Sequence, residues 1–307
     1  MHFQGHEHKH NDHGHVHTAQ NFGRMFGLAT LLNVGLVALQ LVYGILAHST
    51  ALLADAGHNF GDSFGLLLAW GAHVLSRRRP TAQFTYGLGS SSILASLVNA
   101  IILLVATGAI AWEAIQRFHQ PQAVAGGVVM VVAAIAMLLN GFAAWLLMAG
   151  QGDLNIRGAF LHMAADAGVS FGVVVAGGSI LLTGWNWIDP AVSLVISALI
   201  VWGTWGLLQD SVTMALQAVP SGIEPAEVKT YLEQLPGVAS IHDLHIWPMS
   251  TTQTALTCHL VMPVAENTDT LLARISEDLH HNFHIHHATI QIEKDSTECR
   301  LEPDHVV

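Results

Sequence analysis

Long apolar stretches separated by short polar connections occupy the first two thirds of the chain. A membrane-spanning helix needs about 20 predominantly apolar residues, and six stretches reach that length. All the Lys and Arg residues between Gly27 and Leu208 lie in the connections rather than in the stretches. The pattern therefore predicts a bundle of six transmembrane helices. The predicted spans are approximately residues 25–47, 51–75, 91–115, 124–149, 158–183 and 187–209.

The basic residues of the connections predict how the bundle is oriented. Six is an even number, so both termini lie on one side, and basic connections favour the cytoplasmic side. Arg24, residues 77–79 and Arg157 fall on the side of the termini, whereas only Arg117 falls on the other. Both termini are therefore predicted to be cytoplasmic, in a membrane that we expect to be a bacterial inner membrane.

After Pro220 the pattern becomes that of a small soluble domain. Amphipathic helical stretches are interspersed there with short stretches in which apolar and polar residues alternate as they do in strands. The order helix–strand–strand–helix–strand predicts a compact α+β unit with one sheet and helices on one face. The predicted domains are a flexible His-rich N-terminus (1–21), a six-helix membrane domain (22–210) and a cytoplasmic domain (211–307).

Composition narrows the class of protein. Of the 307 residues 51% are hydrophobic and only 11% are charged, and the net charge is −11. These values exclude a disordered chain, a nucleic-acid-binding protein and an ordinary soluble enzyme. Two cysteines are too few for a disulfide framework or a four-thiolate zinc site. Seven of the 21 histidines fall in the first seventeen residues, where two interpretations stay open: weak metal chelation and a solvated tail without a role.

Two pairs of ionisable residues lie inside predicted spans, where such groups cost several kcal/mol each and by default mark ion paths. The second span holds His58 and Asp62, and the fifth holds His162 and Asp166. The members of each pair are four residues apart, so both side chains lie on one helix face. The alternative is that these groups only join helices by hydrogen bonds. The repeat of the same pair on two antiparallel spans favours an ion site instead.

Depth along the helix axes supports one shared site. At 1.5 Å per residue, His58 lies roughly 13 Å and Asp62 roughly 20 Å below the outer surface. The fifth span runs the other way, which puts Asp166 at roughly 15 Å and His162 at roughly 21 Å in a core about 30 Å thick. His58 is thus level with Asp166, and Asp62 with His162. Two imidazoles and two carboxylates in a tetrahedral arrangement suit Zn²⁺, and they also accept Cd²⁺ or Co²⁺.

Small residues accompany these pairs. Gly61 and Gly65 on the second span, like Gly168 and Gly172 on the fifth, are four residues apart, a spacing that allows helices to approach closely. We expect them to let the two ligand-bearing helices meet. Asp55, one turn before the first histidine of the second span, is open between two interpretations, a residue of an outer vestibule and a helix cap.

The C-terminal segment from residue 211 onward, here named the tail, also combines many histidines with thirteen acidic residues. Any single one of these histidines is more ordinarily a solvated surface residue, but their density beside the acids favours metal binding. His259 and Glu293 are predicted to lie on neighbouring strands, with His286 at the entry to the last strand.

The chain resembles the cation diffusion facilitator family of divalent-metal transporters, in its zinc-transporting branch. The residues that carry the resemblance are 53–62 and 162–166 in the spans, and 236–247 and 289–293 in the tail. The resemblance implies that the tail has the ferredoxin-like order αββαβ. It also implies a homodimer joined largely through the tails, and export of metal in exchange for protons. The ligands that it implies for a second, cytoplasmic metal site are His242, His259, His286 and Glu293.

Two departures from the family pattern affect the predictions. The motif that begins at Tyr86 lacks the Arg and the acid that family members often place there, so any ionic contact that they make is absent or supplied elsewhere. The loop 77–85 lacks the histidines with which some relatives bind an additional ion. We therefore predict no metal site in that loop.

The leading hypothesis is a proton-coupled Zn²⁺ exporter that works by alternating access. Metal ligands must be deprotonated to bind, so metal binding releases protons. Its partners are predicted to be divalent metal ions, protons, membrane lipid and a second copy of the chain. One alternative is an intramembrane metalloprotease, but the His-Glu-x-x-His motif is missing and we expect no enzymatic activity. The other is a metal-sensing receptor, which has no need of a ligand cage at mid-membrane.

Overall fold

The computed structural model of the protein describes residues 19–148, 154–264 and 268–295. Side chains are described from residue 33 in the first range and from residue 157 in the second. The His-rich segment 1–21, predicted to be flexible, lies outside the described residues up to residue 18. From Ala19 the chain is helical, so the first helix begins inside that predicted segment.

Each of the six predicted apolar stretches forms a helix. Four of these helices, the third to the sixth, are long and apolar enough to cross a membrane. The second is 27 residues long but contains Asp55, His58 and Asp62, which lower its hydropathy. For the first and second helices the membrane crossing therefore stays a prediction. The helices are α1 (Ala19–Leu46), α2 (Thr50–Ser76), α3 (Ser91–His119), α4 (Gly126–Leu147), α5 (Leu154–Thr183) and α6 (Ile188–Ala215).

The helix α6 continues past its predicted end at residue 209. Polar residues ended the predicted span, but they do not end the helix, because they find partners within it and on α3. The Thr213 hydroxyl donates to Gln209 O at 3.0 Å, and the Ser211 hydroxyl donates to Ser96 Oγ at 2.9 Å. The predicted boundary between residues 210 and 211 thus falls inside a helix, and the division into domains stays a prediction.

Three connections meet at one end of the bundle, here named the distal end. Ala125 N–H donates to Ala47 O at 3.1 Å, which joins the connection before α4 to the end of α1. Val124 N–H donates to the Asn186 side chain at 3.0 Å, which brings in the α5–α6 connection. The helices therefore alternate in direction, as the sequence predicts for six spans.

A buried carboxylate fixes the start of α2 to α6 at the distal end. Asp189 of α6, which is fully buried, accepts hydrogen bonds from Ser49 Oγ at 2.5 Å, Thr50 N–H at 2.6 Å and Thr50 Oγ1 at 2.8 Å. Free N–H groups and the positive end of the helix dipole make a helix N-terminus a favourable place for a carboxylate. Ser49 is the residue that caps α2, since its hydroxyl accepts from Leu52 N–H at 3.0 Å.

Glycines bring α4 and α5 into backbone contact. A Cβ atom on Gly177 of α5 would lie 2.7 Å from Met130 N of α4, and a Cβ atom on Gly126 would lie 2.6 Å from Gly177 O. Because the facing atoms belong to the backbone, these separations of less than 3.0 Å could be relieved only by moving the backbone. The two helices therefore form one closely packed pair.

The glycines of α2 serve a different contact from the predicted one. A Cβ atom on Gly61 would lie 2.6 Å from the Leu103 side chain, and one on Gly65 would lie 2.8 Å from the Asn99 side chain, both on α3. Nothing lies within 4 Å of a Cβ atom built on Gly168 or Gly172 of α5. The prediction that these residues bring α2 and α5 together is wrong. The glycines of α2 face α3, whereas the His58 and Asp62 side chains on another face of the helix face α5.

The C-terminal domain has the implied order αββαβ. Strand β2 pairs antiparallel with β1 and parallel with β3, so the sheet order is β1-β2-β3. The helices pack their apolar faces on the sheet, with Leu232, Leu256, Leu260, Ile275 and Leu279 fully buried between them. The elements are α7 (Pro225–Glu233), β1 (Ser240–Pro248), β2 (Thr254–Val261), α8 (Thr268–Phe283) and β3 (His287–Glu293).

The turn between β1 and β2 rests on the other end of the bundle, here named the proximal end. The Ser90 hydroxyl donates to Met249 O at 3.1 Å, and Thr251 N–H donates to Ser92 Oγ at 3.0 Å. These uncharged hydrogen bonds join the start of α3 to the small domain, close to the motif that lacks the family's Arg and acid.

Candidate metal centres

The first candidate site lies where α2 passes α5. His58 Nε2 is 3.0 Å from Asp166 Oδ1, and His162 Nε2 is 3.5 Å from Asp62 Oδ2. These are the two pairs that the depth estimate places at the same level. The estimate works because the rise of an α-helix is constant, so residue number alone gives the height of a side chain in an antiparallel pair.

Contacts within each helix complete a group of four side chains, His58, Asp62, His162 and Asp166, which is here named the quartet. His58 Nε2 is 3.9 Å from Asp62 Oδ2, and His162 Nε2 is 3.6 Å from Asp166 Oδ2. One ligand atom from each of His58, Asp62 and Asp166 lies within 4.8 Å of the others. His162 joins them through the two carboxylates, while its ring centroid is 6.3 Å from that of His58. Four donors from two helices thus surround one space.

The chemistry of the quartet fits a dication. Asp62 Oδ2 and His58 Nδ1 are buried and have no hydrogen-bond partner among the described residues. A buried carboxylate oxygen without a donor is costly, and a bound cation removes that cost. Two carboxylates and two neutral imidazoles carry a charge of about −2, which balances a divalent ion in a low-dielectric environment.

Exposure of the quartet falls towards the distal end. The side chains of His162 and Asp62 are 45% and 27% exposed, whereas those of His58 and Asp166 are 22% and 4% exposed. The apolar core of the bundle also lies on the distal side, around Leu52 and Val129. The quartet is therefore more exposed on its proximal side than on its distal side.

A second polar layer lies directly distal to the quartet. Asp55 Oδ2 accepts from Gln40 Nε2 at 2.6 Å and from the Ser170 hydroxyl at 3.1 Å. Asn59 Nδ2 donates to Gln40 Oε1 at 3.1 Å. Asp55 is 1% exposed, so it does not line a vestibule in this structure, and Ser49 is the helix cap. Both sequence interpretations of Asp55 are therefore replaced by a buried hydrogen-bonded network that joins α1, α2 and α5.

The second candidate site lies on the sheet of the small domain. His259 Nδ1 is 3.0 Å from Glu293 Oε1, and His242 Nε2 is 3.3 Å from Glu293 Oε2. The two histidines are direct partners across the β1–β2 ladder, with ring nitrogens 3.3 Å apart. Glu293 Oε2 is buried and accepts no well-formed hydrogen bond although a histidine nitrogen is near it, and the same holds for Asp62 Oδ2 of the quartet. Three of the four implied ligands of the cytoplasmic site are thus together.

Asp243 belongs beside this cluster, although the sequence analysis did not select it. Its Oδ2 is 3.5 Å from His259 Nε2, and its Oδ1 is 2.8 Å from His245 Nε2. The pairing of β1 with β2 shifts register between His242 and His245, and Asp243 has a positive φ of 52°. This bulge turns the Asp243 side chain towards the neighbouring strand. Alternation of residues along a regular strand gives no signal for it.

His286 does not join the cluster, contrary to the implied ligand set. Its N–H donates to Thr254 O at 2.9 Å, and its ring lies 5.1 Å from that of His280 at the end of α8. Glu293 is seven residues further along β3, which at about 3.3 Å per residue is roughly 23 Å away. Residues at opposite ends of one strand cannot bind the same ion, so within one chain the set is corrected to His242, His259 and Glu293.

Cys258 is adjacent to this cluster in sequence but not in chemistry. Its side chain is 1% exposed and points into the core of the small domain. Burial, with a smaller contribution from the Asp243 charge, raises the pKa of its thiol to about 12. The core position of its side chain keeps Cys258 out of the cluster.

Comparison with known proteins covers both parts of the chain. The model of the cation efflux transmembrane domain matches residues 27–214, and that of the cation efflux protein cytoplasmic domain matches residues 220–295. A solved structure, the metal-bound C-terminal domain of the CzcD transporter from Cuprividus metallidurans, is 39% identical in sequence. It covers 23% of this chain and 99% of its own, with a TM-score of 0.22.

Curated relatives match over nearly the whole length. The zinc transporter ZitB of Escherichia coli (strain K12) is 38% identical over 289 residues, which are 92% of this chain and 92% of the relative. A cadmium, cobalt and zinc/H(+)-K(+) antiporter of Bacillus subtilis is 31% identical over 92% of this chain and 93% of its own. The cation efflux system protein CzcD of Alcaligenes sp. is 33% identical over 92% of this chain and 89% of its own.

Proposed function

The chain belongs to the cation diffusion facilitator family of cation efflux transporters, and from that premise we propose that it exports Zn²⁺ in exchange for protons through the α2–α5 quartet. It is a transport protein rather than an enzyme, as its relatives' names also indicate. The single observation that carries the proposal is the convergence of His58, Asp62, His162 and Asp166 on one space.

The spacing of the quartet supports tetrahedral coordination. Ligands that bind Zn²⁺ at 2.0–2.1 Å with tetrahedral angles lie about 3.3 Å from one another. The contacts between His58, His162 and the two carboxylates range from 3.0 to 3.9 Å. One ligand atom from each of His58, Asp62 and Asp166 already lies within 4.8 Å of the others, and His162 has to move closer to complete a tetrahedral set.

Zinc is the favoured ion, and it does not stand alone. Imidazole and carboxylate donors in a tetrahedral set suit Zn²⁺. The affinity of such a site for first-row divalent ions follows the general order of these metals, whichever ion the cell exports. One relative is named for zinc, and another for cadmium, cobalt and zinc. We propose Zn²⁺ as the main substrate, with Cd²⁺ and Co²⁺ as further substrates.

Exchange with protons follows from the donors. Histidine and carboxylate bind metal only when deprotonated, so uptake of metal releases protons and uptake of protons releases metal. Imidazole titrates in the physiological range, which suits it to such an exchange. The Bacillus subtilis relative carries antiport in its name, which supports the same coupling here.

The exposure of the quartet supports alternating access from the cytoplasmic side. The proximal end carries Arg77, Arg78 and Arg79, and basic residues favour the cytoplasm. The quartet residues nearer that end are the more exposed ones, and buried residues lie on the distal side of the quartet. We propose that metal is loaded from the cytoplasm in this state and that export requires a second state with the opposite opening.

The cytoplasmic cluster supports a regulatory site in a homodimer. His242, His259 and Glu293 supply three donors, one fewer than a closed structural zinc site needs. We propose that metal bound there stabilises a dimer formed through the small domains. In this role the tail senses cytoplasmic metal, and the quartet transports it.

Zinc flux into proteoliposomes tests the proposal. Asp62→Ala and Asp166→Ala each remove one carboxylate of the cage, and each is expected to abolish flux while the protein still elutes as a folded dimer. Asp210→Ala is the matched control, because Asp210 is an exposed carboxylate near the proximal end of α6, and it should keep the flux of the parent. Flux at the parent level in both quartet variants would contradict the proposal. A metal-sensing receptor predicts no flux in the parent itself.

A further inference from the structure

The side-chain hydrogen bonds and ion pairs between α2 and α5 come from a small number of polar residues. On its other side, α5 is tied to α4 through the backbone contact at Gly177. At Gly168 and Gly172 of the same helix, nothing lies within 4 Å of an added Cβ atom, so these glycines make no comparable backbone contact. The contact between α2 and α5 is here named the seam. Within the part of the chain that the structure describes, the hydrogen bonds and ion pairs across the seam are those of the quartet and those between Ser170 and Asp55.

Ser170 and Asp55 meet directly distal to the quartet. Asp55 is three residues before His58 on α2, and Ser170 is four residues after Asp166 on the antiparallel α5, so the pair lies about 4.5–6 Å further along the helix axes. Ser170 is fully buried and Asp55 is 1% exposed. Any ion that leaves the quartet towards the distal end between these two helices has to pass this pair.

Asp55 is attached more firmly to α1 than to α5. Gln40 of α1 donates to it at 2.6 Å, and Gln40 is itself oriented by a 3.1 Å hydrogen bond from Asn59 of α2. Ser170 lies at 3.1 Å from one Asp55 oxygen and at 3.4 Å from the other. The longer contacts are thus the ones that cross the seam. When α5 separates from α2, the Ser170 hydrogen bond is the one that breaks, and Asp55 stays with Gln40.

We propose that Asp55 and Ser170 form a distal latch, a pair of positioning residues that closes the quartet to the outside while it is open to the cytoplasm. The latch parts when α5 moves away from α2 and re-forms when the transporter returns. It deepens the proposed function, because the direction of opening has meaning only for a transporter that alternates between two sides.

Accessibility of the quartet measures the latch without measuring transport. With Cys258 and Cys299 replaced by Ser, an Asp166→Cys substitution places a reporter thiol at the ligand position nearest the latch, which is 4% exposed in the parent. Right-side-out membrane vesicles are treated with a membrane-impermeant methanethiosulfonate, and the rate of modification is followed. Reagent from the outside reaches this thiol only when the distal side opens.

Ser170→Ala removes the latch hydrogen bond, and Ser193→Ala is its matched control. Ser193 is also a fully buried serine at the distal side, and its hydroxyl donates to Thr50 O at 3.1 Å between α2 and α6. A hydrogen bond to a charged group shifts an equilibrium by about tenfold or more, so Ser170→Ala should raise the rate of modification about tenfold. Ser193→Ala should leave the rate within about twofold of the parent.

A conservative variant separates the latch from general loosening. Ser170→Thr keeps the hydroxyl and should show the rate of the parent. Equal rates in Ser170→Ala and Ser193→Ala would overturn the proposal, whether both rise or neither does, because the seam would then have no special part in closing the site.

Zinc flux with Asp166 intact gives the second readout. Ser170→Ala should change the maximal flux severalfold while the KM for cytoplasmic zinc stays within about twofold, because the variant shifts the balance of states and leaves the ligands in place. An unchanged maximal flux contradicts the latch. If the reporter thiol behaves as expected but the parent transports no zinc, the latch stands and the assignment of zinc as the substrate fails. If the parent transports zinc but the reporter thiol does not respond, the reverse holds.

Discussion

The quartet between α2 and α5 and the cluster on the cytoplasmic sheet use the same chemistry on different scaffolds. Each combines imidazoles with carboxylates, and each contains a buried carboxylate oxygen without a hydrogen bond, on Asp62 and on Glu293. The quartet takes its donors from two helices that meet at a seam with few other polar contacts. The cluster takes its donors from three strands joined by a continuous ladder of hydrogen bonds.

The difference teaches how a scaffold decides between moving an ion and holding one. Helices keep their internal hydrogen bonds when they separate, so α2 and α5 can part without unfolding either. Strands of one sheet cannot part without breaking the ladder that forms them. The same donors are therefore suited to release on the first scaffold and to retention on the second.

The largest predicted effect is on zinc flux, which should depend strongly on the quartet and only weakly on the cytoplasmic cluster. His58→Ala leaves Asp166 buried without its 3.0 Å partner and removes a ligand, so zinc flux should fall at least about 100-fold, since losing one member of a buried charged pair costs about 3–5 kcal/mol. His259→Ala, the corresponding change on the sheet, should keep maximal flux within about threefold because it is far from the transport path. Flux assays on both variants check this. A larger loss from His259→Ala would show that the sheet takes part in transport itself.

The next effect should distinguish them by stability. Zinc at 100 times its dissociation constant stabilises a folded protein by about 2.7 kcal/mol per site. Glu293→Gln should lose that increment for the cytoplasmic site, and His286→Ala should keep it, because His286 is at the opposite end of β3. Thermal unfolding of the full chain with increasing zinc measures both. Equal losses in the two variants would restore His286 as a ligand.

Sequence alone predicted the parts of both sites that depend on regular geometry. Helical rise gave the pairing of His58 with Asp166, and strand alternation placed His259 and Glu293 on neighbouring strands. The bulge that turns Asp243 towards His259 has no signal in the residue pattern. His286 was included only because the family resemblance implied it, and its position at the opposite end of β3 from Glu293 depends on how the strand is placed in this chain. Ser170 carried no signal, since its importance depends on what it faces across the seam.

A smaller effect should show that α5 moves together with α4. Gly177→Ala places a Cβ atom 2.7 Å from the Met130 backbone, and overpacking of this kind should destabilise the protein by about 1–3 kcal/mol. Gly172→Ala on the same helix meets nothing within 4 Å and should stabilise by about 0.5 kcal/mol through helix propensity. Thermal unfolding of the two variants in detergent compares them. A neutral Gly177→Ala would mean that the α4–α5 contact is as loose as the α2–α5 seam.

The smallest effect concerns the thiol beside the cytoplasmic cluster. Because the pKa of Cys258 is raised to about 12, its thiol should stay protonated and unmodified by thiol-specific reagents at pH 8 in the native protein. With Cys299 replaced by Ser, absorbance from a disulfide-exchange reagent follows Cys258 alone. Modification faster than unfolding would mean that the core beneath the cluster opens. Cys258→Ala should also leave the zinc-dependent stabilisation in place, and its loss would make the thiol a ligand.

The hydrogen bonds that join the start of α2 to Asp189 make the helix a lever with its pivot at the distal end. For a rotation of about 5° about that pivot, a rise of 1.5 Å per residue carries Asp62 through about 1.6 Å and Ser76 through about 3.4 Å. The proximal end of α2 lies near the β1–β2 turn of the small domain, so a movement imposed there reaches the ion at about half its amplitude. Coordination bonds tolerate only about 0.2 Å of error. Even the smaller displacement of Asp62 is therefore enough to break the coordination of the ion.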